Sequence, residues 1–288
     1  MGFEDGKIIA VGKTGVSGYY VPLFTGLVDG FRGHDVTVDV QYLSTHDCLD
    51  YFRTSGVDGL ILVATPTHEQ PVLTDLFDAH VPFVAVSVSS PLLEHKHLPC
   101  VDTANYAGGQ IAARHLLDLG HTRLACVNLG NRFINLTDRM EGFRNALMEA
   151  GLPITDDDVV LDFDYTQRSF ETLVESWLHR KIALDEVPTG IFSCDYPMAL
   201  ATLNVLRRNG IDVPSHVSVI GFDDPTEAAE FNPPLTTVKQ SVYEMAHRAA
   251  QRLVAVVDDP SKPRDTCGIE IFPTELVVRE STQRIAVN

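Results

Sequence analysis

The residues of this sequence best suited to chemistry are polar and aromatic positions that follow short apolar runs. Thr14 comes after the run 7–12, Asn105 precedes a helical stretch, and Tyr165 follows 159–163. Cys194 and Asp195 follow 189–193, and Phe222 and Asp223 follow the run ending at Gly221. If those runs are parallel strands, these positions lie at strand carboxyl ends, where open α/β sheets hold their ligands. Arg139 adds a guanidinium on a helix whose other face, Phe143 and Leu147, is apolar. A guanidinium, two carboxylates and two aromatic rings in one crevice suit a polyhydroxylated ligand. The charged groups hydrogen-bond hydroxyls, and the rings cover C–H surfaces. The same residues also permit a plainer reading, in which Arg139 and Asp223 form a structural ion pair or cap helices.

Motifs of catalysis and metal binding are missing. The sequence contains no GxSxG, HExxH, GxxxxGK[ST] or GxGxxG pattern. The glycine-rich loop 13–18 lacks the phosphate-loop spacing and reads as a turn. His95-x-His97 has no carboxylate or cysteine at metal-site spacing and reads as a solvated loop. Asp156-Asp157-Asp158 lacks the alternation of a calcium loop and reads as a solvated turn. Cys194 has no histidine near it in sequence and reads as a pocket or core residue rather than a nucleophile. Neither a cofactor nor a metal is expected, and the chain does not read as an enzyme.

The elements that must position these residues alternate regularly. Strands are expected over 7–12, 36–42, 59–64 and 83–88, with helices over 22–31, 47–54, 71–79 and 106–119. The pattern then repeats, with strands over 123–128, 159–163, 189–193 and 217–221 and helices over 138–150, 170–179 and 197–209. Strands alternating with helices of this length imply parallel βαβ units covered on both faces. Two such series imply two doubly wound lobes. A late helix over 243–257 follows a complete second lobe and is assigned back to the first. A final strand is expected near 274–279.

Composition narrows the class. The 288 residues are 44% hydrophobic, which excludes a disordered acidic polymer. The net charge of −17 argues against gripping a phosphate backbone unaided. The five cysteines are an odd number without a CxxC pair, so neither a disulfide nor a zinc framework is implied, and a reducing cytoplasm suits them. No apolar run reaches 18 residues, so no membrane span is expected, and the first residues lack the pattern of a signal peptide.

Four segments then carry a family resemblance. They are AARHLLDLGH at 112–121, RMEGF at 139–143, GIDVPSHVSVIGFDD at 210–224 and PLTTV at 234–238. In this order they resemble the effector-binding core of the LacI/GalR family of bacterial transcriptional repressors, over about residues 7–279. The resemblance implies a type I periplasmic-binding-protein-like α/β fold. Its two doubly wound parallel-sheet lobes, 1–123 with 239–268 and 124–238 with 269–288, would be joined by a hinge with crossover strands. It implies a small-molecule effector, most often a sugar, bound between the lobes, and a homodimer that controls DNA binding allosterically. By position, Arg139 resembles the arginine that bonds the effector and Asp223 the aspartate opposite it. Tyr165 and Phe24 resemble stacking aromatics, and Asn135 and Phe222 are further carry-overs. Two positions depart from the pattern: Cys194 stands where the family has asparagine, and Ala104 precedes Asn105 where it has aspartate. Nothing resembles the family's helix-turn-helix, so operator DNA would be reached only through a domain absent from this chain. The alternative is a sugar-binding protein of a transport system.

Overall fold

In the computed structural model, the structure describes residues 6–11, 19–41, 43–88, 97–128, 133–161, 170–258 and 268–285. The chain divides into two compact units, Met1–Thr103 with Ser241–Pro273 and Ala104–Gln240 with Thr274–Asn288. The backbone therefore passes from one unit to the other three times.

The first unit contains β1 (Gly6–Val11), α1 (Tyr20–Gly30), β2 (Val36–Gln41), α2 (Cys48–Ser55), β3 (Gly59–Val63), α3 (Pro71–Asp78), β4 (Phe83–Val86) and β5 (Cys100–Thr103). Its sheet has the order β11-β5-β4-β3-β1-β2, where β11 is Ile269–Phe272, and every pairing is parallel. β3 and β4 are buried along their whole length because both sheet faces are covered. Ile61, Val63, Val84 and Val86 pack with α1 on one face. Leu60, Leu62, Phe83 and Ala85 pack with Val72, Leu73 and Leu76 of α3 on the other. The late helix, α8 (Val242–Asp258), lies against α1 in this unit. Contact there is close enough that a Cβ on Gly30 would stand 2.6 Å from Ala250 Cβ.

The second unit repeats the plan. It contains α4 (Asn105–Asp118), β6 (Leu124–Asn128), α5 (Ile134–Glu149), β7 (Val159–Leu161), α6 (Phe170–Ala183), β8 (Gly190–Ser193), α7 (Tyr196–Arg208), β9 (Ser218–Phe222), β10 (Thr236–Gln240) and β12 (Thr274–Val277). The order β12-β10-β9-β8-β6-β7 matches that of the first sheet, with only β12 antiparallel. The strand order reverses between β6 and β8, which makes that crevice the switch point where such sheets bind ligands. His121, which closes one of the resemblance segments, is buried. Its Nε2 donates to the Gln283 carbonyl at 3.0 Å, so the ring carries a proton on Nε2, and its Nδ1 lies 3.1 Å from Thr189 Oγ1.

Several boundaries differ from expectation. The dividing points fall at 103/104 and 273/274 rather than 123/124 and 268/269. α4 belongs to the second unit because it crosses α5 at backbone contact. A Cβ on Gly109 would collide with the Arg139 carbonyl, and one on Gly142 with the Tyr106 carbonyl. β5 and β11 have no counterpart in the sequence reading, and they pair with each other. α5 begins at Ile134 rather than 138, so Arg139 sits in its second turn and does not open the helix.

The crossing gives a test. Gly142→Ala should cost roughly 1–3 kcal/mol or more through overpacking against backbone that cannot move aside. Urea unfolding of the variant reads this directly; an unchanged midpoint would contradict the contact.

Candidate functional site

The polar site of the second unit is built around Arg139. Its side chain is 3% exposed, reached from α5 across the carboxyl ends of β8 and β9. Nε donates to Asn105 Oδ1 at 2.8 Å, and Nη1 donates to the Cys194 carbonyl at 2.8 Å. The guanidinium carbon stands 3.7 Å from the centre of the Phe222 ring, a cation–π contact in a desolvated place. Two helix glycines make this geometry accessible. Gly109 brings the first turns of α4 down on α5, and so sets Asn105 beside Arg139. At Gly108 a Cβ would stand 2.6 Å from the Phe222 ring, so this position holds the ring under the guanidinium. Five N–H donors serve an arginine. Two are committed, and among the described residues Nη2 has no hydrogen-bond partner.

Two carboxylates flank this cation. Asp195 caps α7: its Oδ1 accepts from Met198 N at 2.8 Å. Removal from water pushes its carboxyl up to about 7, and the charge of Asp223 adds to this. The Met198 bond and Arg139 act in the opposite direction. Asp223 has φ +70, a left-handed conformation that aspartate tolerates better than most residues, and its N–H bonds the Val238 carbonyl at 2.9 Å. Its Oδ1 accepts a hydrogen bond from Gln240 Nε2. Asp224, its neighbour in sequence, is spent elsewhere. It receives Arg279 Nη1 at 2.7 Å and Thr237 Oγ1 at 2.8 Å. Among the described residues no ion pair joins Arg139 to Asp223.

Gln240 is the residue that the sequence reading missed. It is buried, and its Oε1 has no hydrogen-bond partner among the described residues. Such an acceptor invites a donor. The available signal was the alternation of β10, which points Thr236, Val238 and Gln240 to one side; the apolar reading of that segment ended at Val238.

The structure brings Arg139, Asn105, Cys194, Asp195, Phe222 and Asp223 into one unit, with two corrections to their roles. The Phe222 ring is fully buried beneath Arg139 and Gly108, so it supports the cation instead of offering an open face. The Cys194 side chain also turns into the core, where its sulfur lies 3.5 Å from that of Cys126; its contribution to the site is its carbonyl. Asn135 sits in the first turn of α5 and accepts from Leu136 N at 3.0 Å. Phe24 belongs to α1 in the first unit and stacks on Tyr20 at 6.2 Å. Thr14 and Tyr165 lie outside the described residues, as do Lys13 and His95. The first unit has a small pocket at the carboxyl end of β3, where buried Glu69 accepts from Thr45 N at 3.0 Å. No described group of His, Cys, Asp and Glu could hold a metal, and no described helix is long and apolar enough to cross a membrane.

The chain is similar to known proteins. A family model described as a periplasmic binding protein-like domain matches residues 113–282. The HTH-type transcriptional regulator DegA of Bacillus subtilis (strain 168) is 34% identical over 254 residues, 86% of this chain and 69% of that protein. The HTH-type transcriptional repressor PurR of Histophilus somni (strain 129Pt) is 30% identical over 238 residues, 82% of this chain and 68% of that protein. Among solved structures, the complex of the transcriptional regulator CelR with cellobiose superposes with TM-score 0.82 at 26% identity, covering 96% of this chain and 84% of that one. The chain belongs to the LacI family. A LacI-family regulator from Enterococcus faecium with bound ribose shares the fold, with TM-score 0.80 at 24% identity over 97% of this chain and 100% of that one. These relatives are transcription regulators and not enzymes or transport proteins, and this LacI-family chain covers their effector-binding core.

Asp195 makes the site pH-dependent. Between about pH 4, where an unfolded aspartate ionises, and about 7, the folded carboxyl holds a proton that the unfolded chain has released. Its contribution to stability is therefore full below that window and falls as pH rises through it. Asp195→Asn keeps a helix cap of equal quality and carries no charge. The variant should gain stability relative to the unsubstituted chain as pH goes from 5 to 8 in urea unfolding. A difference that stays constant across that range would contradict the burial of a charge at this position.

Proposed function

We propose that this LacI-family core senses an uncharged polyhydroxylated molecule, a sugar or sugar derivative, at the Arg139 site. The observation that carries this reading is the arrangement around that residue. A buried guanidinium held by Asn105 and the Cys194 carbonyl leaves Nη2 uncommitted among the described residues, in the same unit as Asp195, Asp223 and a Gln240 oxygen that has no described partner. A hydroxyl both donates and accepts, so adjacent hydroxyls satisfy an arginine donor and carboxylate or amide acceptors together. An anionic ligand would instead meet two carboxyl groups. The cellobiose and ribose complexes of related regulators support the sugar class. Arg139 and Asp223 take the principal bonds, Asp195 and Gln240 the secondary ones, and Asn105 orients the arginine.

Membership of the family supports the rest of the reading. The chain acts in the cytoplasm as a homodimer and controls operator DNA through a helix-turn-helix outside these residues. The effector switches the protein only by the difference in its affinity for two states, since equal affinity would shift nothing.

A thermal-shift screen against monosaccharides, disaccharides, sugar phosphates, polyols and nucleobases tests the effector class. A ligand at a hundred times its dissociation constant stabilises by about 2.7 kcal/mol, which should raise the midpoint by roughly 5–10 °C. The expected result is a shift with a neutral sugar that Asp223→Ala abolishes while the variant still unfolds cooperatively. Shifts confined to anionic compounds, or a sugar shift unchanged in Asp223→Ala, would overturn the assignment. Sedimentation checks the dimer; a monomer whose mass is independent of concentration at micromolar protein would refute it.

A further inference from the structure

We propose that Cys126 and Cys194 are an oxidation site, a dithiol that a hydroperoxide converts to a disulfide and that thereby disturbs the hold on Arg139. The sulfurs are 3.5 Å apart, and both side chains are fully buried. Cys126 lies on β6 opposite Phe192 of β8, and Cys194 is two residues past Phe192, so both thiols point from the same sheet face. They lie in the core beneath the switch point between β6 and β8. The Cys194 carbonyl is one of the two acceptors that fix the Arg139 guanidinium. The next residue, Asp195, has part of its surface in solvent although its carboxyl is withdrawn from water, which sets this cysteine at the wall of the polar site.

The chemistry balances with one oxidant. The Cys194 sulfur attacks the distal oxygen of the hydroperoxide and breaks the O–O bond. This gives a sulfenic acid, while the alkoxide leaves and takes up the thiol proton. The Cys126 sulfur then attacks the sulfenic sulfur, and hydroxide leaves and takes up the second thiol proton as water. Two thiols and one hydroperoxide become one disulfide, one alcohol and one water. Burial pushes the Cys194 thiol well up, with the nearby Cys126 adding to this, whereas the Arg139 charge opposes it. The thiol is therefore slow to react while the site is dry, and faster when water and peroxide enter.

Bond formation has a geometric consequence. The sulfurs must approach from 3.5 Å to about 2.05 Å. Closing that gap of about 1.5 Å draws the segment at Cys194 toward β6. Its carbonyl moves with it, and Arg139 loses one of its two fixed bonds. The coupling to effector binding rests on the function proposed above, but the oxidation itself does not.

The experiment uses the full chain, hydrogen peroxide as the probe and no effector. After treatment, remaining thiols are alkylated and peptides are mapped by mass spectrometry without reduction. The expected product is a peptide linked through Cys126 and Cys194, reversed by dithiothreitol. With it, amide exchange around residues 134–142 and 194–198 should quicken about tenfold, as for the loss of one charged hydrogen bond. In Cys126→Ser the link is absent and dimedone should trap the sulfenic acid at Cys194. Recovery of both cysteines as thiols, under conditions that oxidise a cysteine peptide in the same tube, would overturn the site. A link without faster exchange would overturn its coupling to Arg139, and dimedone capture elsewhere would overturn the order of attack.

Discussion

The crossing of α4 over α5, where Gly109 meets the Arg139 carbonyl and Gly142 meets that of Tyr106, is the constraint on which the polar site depends. Side chains on either helix at those points would hold the axes apart. With the backbones in contact, Asn105 at the start of α4 reaches Arg139 Nε, and Gly108 presses the Phe222 ring under the guanidinium. An arginine buried to this extent must be paid for by directed bonds. Among the described residues those bonds come from a side-chain amide, a backbone carbonyl and a ring face, none of which is a carboxylate. That choice leaves Asp195 and Asp223 uncommitted to the cation and available to another molecule.

The neighbouring charges divide along the same lines. Asp224 is locked by Arg279 and Thr237 in a structural cluster, whereas Asp223 accepts from Gln240. The left-handed turn at Asp223 separates the two side chains immediately after β9. Asp195 caps α7, and its reluctance to ionise follows chiefly from the withdrawal of its carboxyl from water, to which the charge of Asp223 adds. Burial of unsatisfied groups is tolerated at binding sites because the ligand completes them.

Much of this architecture is legible in the sequence, for identifiable reasons. The doubly wound class follows from strand and helix alternation, and the parallel strands are recognisable because both faces of runs such as 59–63 are apolar. Positions at strand ends are legible because the topology fixes where ligands sit. Direction within a position is not: Cys194 and Phe222 are at the right places, yet both side chains turn inward, a choice made by packing against Cys126 and Gly108. β5 escapes notice because four residues that include Asp102 and Thr103 give no apolar run, although all four are buried. The unit boundary at 103/104 escapes for a related reason. The allegiance of α4 is decided by glycine contacts with a helix thirty residues further on, and no local pattern reports them.

Asn105, delivered by the glycine crossing, orients Arg139. Nuclear magnetic resonance of arginine Nε–H groups tests it most directly, with the Arg139 signal assigned by its loss in Arg139→Lys. The expected result is a slowly exchanging Arg139 Nε–H that is lost to fast exchange in Asn105→Ala while the fold persists. An Arg139 signal equally protected in both proteins would contradict it.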